Sequence, residues 1–247
     1  MSNSRARYPF HWPIIAACVF VILIVGALVY RRDHVLSTPS NSFKTIVDRG
    51  QSAAEQAADQ KKIDDQLALI AQTEKNGTRD ISQYLTLGNL YYGAGDLAEA
   101  EQAYQNILDT NPNDAPALEN LGQAQLESGN YGGAELSWTA ALHSSPTDTG
   151  YDIRLANLID QYDPTHEATI GPLLESAISS NGQTPDLLYR LGQWYEKNGQ
   201  YAEAMSQYQV AYELADKDPS IEQTINELQQ KMVAAQAAAN AAAISKR

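Results

Sequence analysis

A Leu-Gly pair recurs along this chain at fixed intervals, and that recurrence limits the fold more than any other feature. Leu87-Gly88, Leu121-Gly122 and Leu191-Gly192 are separated by 34 and 70 residues. The same distances separate Ala100, Ala134 and Ala204, the glycines Gly95, Gly129 and Gly199, and the aromatics Tyr104, Trp138 and Tyr208. Pro112 and Pro146 close the first two units, each inside an Asn- or Ser-rich turn. A period of this length describes one supersecondary unit stacked along a line. Within a unit, Gly88 and Ala100 are small where two helices must cross closely, and Tyr91 and Tyr104 fill the space beside them. Leu87, Leu121, Leu191 and Tyr195 belong to the same packing set.

These residues resemble the tetratricopeptide repeat family, whose pattern is large–Leu–Gly–Tyr in a first helix and Ala–aromatic–Ala in a second. The resemblance implies an all-α chain with an α-solenoid of about four helical hairpins over 81–218. The units run 81–114, 115–148, a degenerate one at 149–184, and 185–218. In the degenerate unit Leu155-Ala156 replaces Leu-Gly, Leu173, Leu174 and Ala177 mark the second helix, and Pro164 and Gly171-Pro172 interrupt the pattern. A last hairpin needs a cover. Ile221, Ile225, Leu228 and Met232 form a stripe that supplies one, with Ser220 and Gln223 at capping-box spacing. Residues 219–247 therefore read as a capping helix with an Ala-rich tail that frays or is disordered from Ala234.

Ahead of the repeats, Ile14 to Tyr30 is a run of 17 residues without a charge, and Arg31-Arg32 ends it. With Phe10 to Pro13 it reaches the length that crosses a hydrocarbon core of about 30 Å. Tyr8, Trp12 and Tyr30 lie where interfacial aromatics are favoured. The expected layout is a tail (1–13), a transmembrane helix (14–32), a linker (33–42) and a helical stalk (43–76). This describes a single-pass protein of the cell (inner) membrane. Arg5 and Arg7 on one side nearly balance Arg31 and Arg32 on the other. The short N-terminal tail and the Ser/Thr/Pro-rich linker favour an extracytoplasmic array. In the stalk, Ile63, Leu67 and Ile70 follow helical spacing over an otherwise Ala- and Gln-rich sequence. Such a stripe suits a solvated spacer whose last turns pack on the first repeat, or a weak coiled coil that makes a homo-oligomer.

Every Asp and Glu lies at or after Asp33, leaving 13 basic against 30 acidic side chains there, a net charge of −17. Such a surface repels phosphate backbones, so nucleic acid is not an expected partner. The one cysteine, Cys18, falls inside the apolar run, which removes disulfides, thiolate metal sites and cysteine nucleophiles from the rest of the chain. No nucleophile elbow, zincin or P-loop pattern occurs, and the four histidines lack ligand spacing. Asp216-x-Asp218-x-Ser220 with Glu227 has an EF-hand-like frame, but Ile221 stands where that loop needs glycine. The expectation is a non-enzyme with no cofactor and no metal.

The resemblance places a partner-binding groove along the first helices, lined by Asn89, Tyr92, Asn120, Gln123, Tyr189, Gln193 and Glu196. Some members grip a chaperone's C-terminal carboxylate with Lys and Asn side chains. Asn89, Asn120 and Arg154 match that clamp, but Leu85 and Gly150 replace its lysines. Basic or neutral peptide segments are therefore the expected partners, and a membrane-anchored interaction scaffold the expected function. Some anchored members instead serve as chaperone-like holdases or assembly factors in secretion or cytochrome maturation, and that is the alternative.

Overall fold

Residues 43–245 are described by the computed structural model. They form ten α-helices: α1 (Ala53–Lys75), α2 (Ile81–Ala94), α3 (Leu97–Leu108), α4 (Ala115–Ser128), α5 (Tyr131–Ser144), α6 (Gly150–Tyr162), α7 (Ile170–Asn181), α8 (Pro185–Lys197), α9 (Tyr201–Leu214) and α10 (Pro219–Ser245). The tail, transmembrane helix and linker expected over 1–42 lie outside the described residues. Among the described residues, no helix is long and apolar enough to cross a membrane.

In the first, second and fourth units the first helix closes at a glycine. Gly95 has φ +90°, its N–H bonds the Tyr92 carbonyl, and the Asp96 N–H bonds that of Tyr91. This is a Schellman closure, and the left-handed conformation it needs carries no penalty at glycine. Gly129 and Gly199 close α4 and α8 with the same pair of bonds. Starts are equally local: Asp114 caps Ala117 N–H with Pro116 just inside α4, and Thr184 caps Leu187 N–H with Pro185 opening α8.

Three of the four hairpins are held by a ring laid on a glycine. A Cβ at Gly88 would lie 2.4 Å from the Tyr104 ring, one at Gly122 2.5 Å from the Trp138 ring, and one at Gly192 2.6 Å from the Tyr208 ring. Ala100, Ala134 and Ala204 are fully buried beside them. The third unit solves the same crossing differently. Ala156 occupies the glycine position and buried Leu174 the aromatic one, so a methyl is added on one helix and a ring removed from the other. Its two extra residues are absorbed by a 3-10 turn, Pro164–Thr169, before α7. Pro172 falls in the first turn of α7, where a missing N–H costs nothing. Gly171 makes room for the Trp194 ring of the next unit, 2.6 Å from where a Cβ would stand.

Both ends of the stack are covered. At one end, Ile63 and Ile70 of α1 are buried in the same core as Tyr84, Leu87 and Tyr104. The helical stalk expected over 43–76 is corrected here: 43–52 is not helical, and α1 is a layer of the stack. Its start is a full capping box between Ser52 and Glu55. Ile63 and Ile70, which a coiled coil would need, already pack in cis, while Leu67 remains 41% exposed. At the other end, Ile221 and Leu228 of α10 are buried against the last hairpin, with Ile225 and Met232 packed beside them. The expected Ser220/Gln223 capping box does not form. The Asp218 carboxylate takes the Ser220 N–H and hydroxyl instead, because the helix already begins at Pro219, two residues before the start a Ser220 cap would give. That cap also accounts for Asp218 in the EF-hand-like frame. The helix continues through the Ala-rich segment to Ser245.

Candidate interaction surface

The first helices α2, α4, α6 and α8 are joined by polar side chains that reach one unit along. Asn120 Nδ2 donates to Asn89 Oδ1 at 3.2 Å, and that oxygen also accepts the Tyr104 hydroxyl at 2.9 Å. Arg154 pairs with Glu119 at 2.8 Å and lies over the Trp138 ring. Arg190 is 5% exposed; its Nε donates to Asn157 Oδ1 and its Nη2 to the Ala156 carbonyl and Asp160. Such a buried guanidinium is tolerable because a carboxylate and two further oxygen acceptors meet it. Lys197 pairs with Asp160 and Glu167, and Lys231 of α10 with Glu196. The result is a ladder of amide and charge pairs along the first-helix face.

Against this ladder the expected groove residues divide. Asn89 and Asn120 meet each other. Gln193 is exposed on the face. Tyr189 turns to the cap, its hydroxyl 3.2 Å from Thr224 Oγ1 and its ring 5.3 Å from that of Tyr208. Glu196 is spent on the Tyr208 hydroxyl and Lys231. Burial, with Glu196 beside it, pushes the Tyr208 phenol well up. The Tyr195 phenol is raised to about 12 by its hydrogen bond to Glu175. Arg154, the cation matched to the carboxylate clamp, is neutralised by Glu119, so the clamp chemistry is lost at its third position too.

Tyr92 and Gln123 lie where the chain makes an addition that the periodicity does not announce. Residues 44–49 cross the hairpin turns of the first two units, and the chain then turns at Gly50, φ +65°, toward α1. Lys44 N–H donates to the Ser128 carbonyl, Val47 N–H to that of Gly95, and Ala98 N–H to that of Thr45. Ile46 and Asp96 form an antiparallel bridge. A Cβ at Gly95 would fall 2.0 Å from the Val47 carbonyl oxygen, so this close approach also requires glycine. Arg49 forks onto both carboxylate oxygens of Glu127, donates to the Tyr92 carbonyl at 2.9 Å, and stacks 5.0 Å from the centre of the Tyr92 ring. Hydrogen bonding from Arg49 holds the Glu127 carboxyl below the usual range. Tyr92, expected as an open groove residue, is therefore covered from within the chain.

Comparison with known proteins agrees with this architecture. The tetratricopeptide repeat family model matches residues 85–149, and a second tetratricopeptide repeat model matches 185–218. The chain carries tetratricopeptide repeats. Residues 150–184, between the two matches, fold as α6, the 3-10 turn and α7. A crystal structure of MamA shares 18% identity and a TM-score of 0.54, covering 69% of this chain and 96% of that one. MamA 41-end from Desulfovibrio magneticus RS-1 shares 18% and 0.52, covering 65% and 89%. At these identities the likeness is one of fold. The transcription factor tau 131 kDa subunit of Saccharomyces cerevisiae is 25% identical over 142 residues, 58% of this chain. The match spans 14% of that protein's length.

The pattern within a single unit did not reveal Glu119, Asn157, Asp160, Arg190, Lys197 and Lys231 as one system. Their signal was present: complementary side chains 30 to 37 residues apart, about one period, on first-helix positions and, for Lys231, on the capping helix.

Proposed function

We propose that this protein is a membrane-anchored scaffold that holds other polypeptides along the first-helix face of its repeats and performs no chemistry of its own. The observation that carries the reading is the ladder. Side chains already positioned by their neighbours lose little freedom when a partner docks, which preserves affinity. The cations of the ladder are paired in cis, and the chain from Asp33 onward carries a net charge of −17, so neutral or basic segments suit it better than acidic ones. The apolar run within 14–32 supplies the anchor, and the array lies outside the cytoplasm.

Two experiments test this. A photo-crosslinking residue at Gln193, on the first-helix face, captures one or two defined polypeptides in native membranes, whereas the same group at Glu213 on α9 does not. Equal capture from both positions would remove the first-helix face as the binding surface. For the anchor, Cys18 is the only native cysteine, so Asn76→Cys at the end of α1 gives a single new thiol. Labelling by a membrane-impermeant maleimide on intact cells is expected. Labelling only after lysis would put the array on the cytoplasmic side.

A further inference from the structure

We propose that the ridge of hairpin turns under residues 44–49 is a second docking site, separate from the first-helix face, for an extended, arginine-bearing segment of a partner polypeptide. The chain's own strap fills it until that segment displaces it. The inference rests on the scaffold reading only in taking the partner to be a polypeptide.

The site is defined by what it offers. The Gly95 and Ser128 carbonyls face outward, the Ala98 N–H is available to a strand, and all three are used by the strap's backbone in a pattern independent of its side chains. One side-chain position is selective. Glu127 and the Tyr92 ring and carbonyl take a planar fork and a cation together, which arginine satisfies and lysine does not. The site does not recur at the last junction: there Asp160 and Lys197, at positions equivalent to Tyr92 and Glu127, pair with each other. At the middle junction the equivalent positions are Leu126 and Gln161, neither aromatic nor acidic, so of the three the ridge of the first two units has the carboxylate and ring for an incoming arginine.

The strap is held in a way that permits exchange. Among residues 43–52 none is buried; Val47, Arg49 and Gln51 are half-covered, and the large apolar side chains Phe43 and Ile46 are 51% and 68% exposed. It contributes nothing to the hydrophobic core, so its hold on the hairpin turns comes from three backbone hydrogen bonds and one guanidinium, with Gln51 tied to Asp59 and Gln56 of α1 at its root. Segments held this way open far more readily than the helices beneath them. Because it is tethered directly to α1, its effective concentration is high, and an outside strand must compete with it.

The test uses the full chain and a synthetic peptide of residues 43–52. Arg49→Ala in the protein loosens the resident strap, and the labelled peptide is expected to bind that variant at least tenfold more tightly than wild type. Adding Glu127→Gln to the variant, or Arg49→Ala or Arg49→Lys in the peptide, is expected to abolish the gain. In the wild-type chain, excess peptide is expected to accelerate amide exchange at Lys44 and Val47 while leaving α2 and α4 unchanged. Equal peptide affinity of the wild type and the Arg49→Ala variant would overturn the proposal, and so would strap amides indifferent to peptide. If the variant does not fold, the exchange measurement on the wild type decides alone. Failure here leaves crosslinking from Gln193 unaffected, so the two surfaces are judged separately.

Discussion

Where the Tyr104 ring lies on Gly88, a single added methyl meets carbon at 2.4 Å, closer than van der Waals contact permits. Gly88→Ala is therefore expected to destabilise the protein by about 1–3 kcal/mol through overpacking. Tyr104→Leu alone leaves a void. The double variant reproduces the Ala156–Leu174 arrangement of the third unit and should be markedly less destabilised than the sum of the two, read by a double-mutant cycle in urea. Additive losses would mean that ring and glycine do not pack as a unit. Asp152 is the other exceptional residue. It is 4% exposed at a position held by Tyr84, Leu118 and Leu188 in the other units, and its Oδ2 has no hydrogen-bond partner. Burial raises its carboxyl above the ordinary 3.8, and nearby Asp148 adds to the shift. A raised folded-state pKa favours the neutral acid in the native state, so this group's contribution is best below about 3.8 and worsens as pH rises through the folded value. Asp152→Leu is expected to stabilise at pH 7 by about 1–3 kcal/mol, the cost of an unsatisfied buried group. Its advantage should shrink in acid; a melting-temperature series from pH 3 to 7 measures both.

Among the elements, the strap has the clearest chemical switch. Glu127 titrates below its ordinary 4.5 because Arg49 hydrogen-bonds its ionised form. A lowered folded-state pKa means that the stabilisation is complete above 4.5 and is lost as pH falls through the folded value. Exchange at the Val47 amide, corrected for intrinsic pH dependence, should therefore speed up in acid in the wild type and stay flat in Arg49→Ala. A flat profile in both would show that the backbone bonds alone hold the strap. Helix α10 stands at the other extreme: Leu228, fully buried, ties it to Ala204 and Tyr208. The half beyond Met232 is a solvated helix, with Val233 and Ile244 more than 70% exposed.

For the array as a whole, stability is a sum of units and their contacts, because each hairpin touches only its neighbours. The third unit combines a buried orphan carboxylate, a 3-10 turn and a crossing without an aromatic ring. Native-state exchange is expected to find the lowest opening free energy of the interior hairpins in α6 and α7. Protection there equal to that of α4 and α5 would show that the unit is degenerate in sequence but not in energy.

Periodicity and residue size determined the hairpins. Leu-Gly pairs, turn glycines and facing aromatics act within about 34 residues, so the sequence carries them openly, and the Ile221–Met232 stripe marked the cap for the same reason. Much of the candidate surface was legible as positions, since Asn89, Asn120 and Gln193 follow from the repeat frame. Their state was not. Whether Glu196, Tyr189 or Arg154 is free depends on partners a full unit away or on another helix, and pattern within a unit contains no such pairing. The strap was hidden for a further reason. Its backbone bonds go to turn carbonyls and use no side-chain code, and its one selective residue, Arg49, meets Glu127 only once the stack has brought two turns side by side.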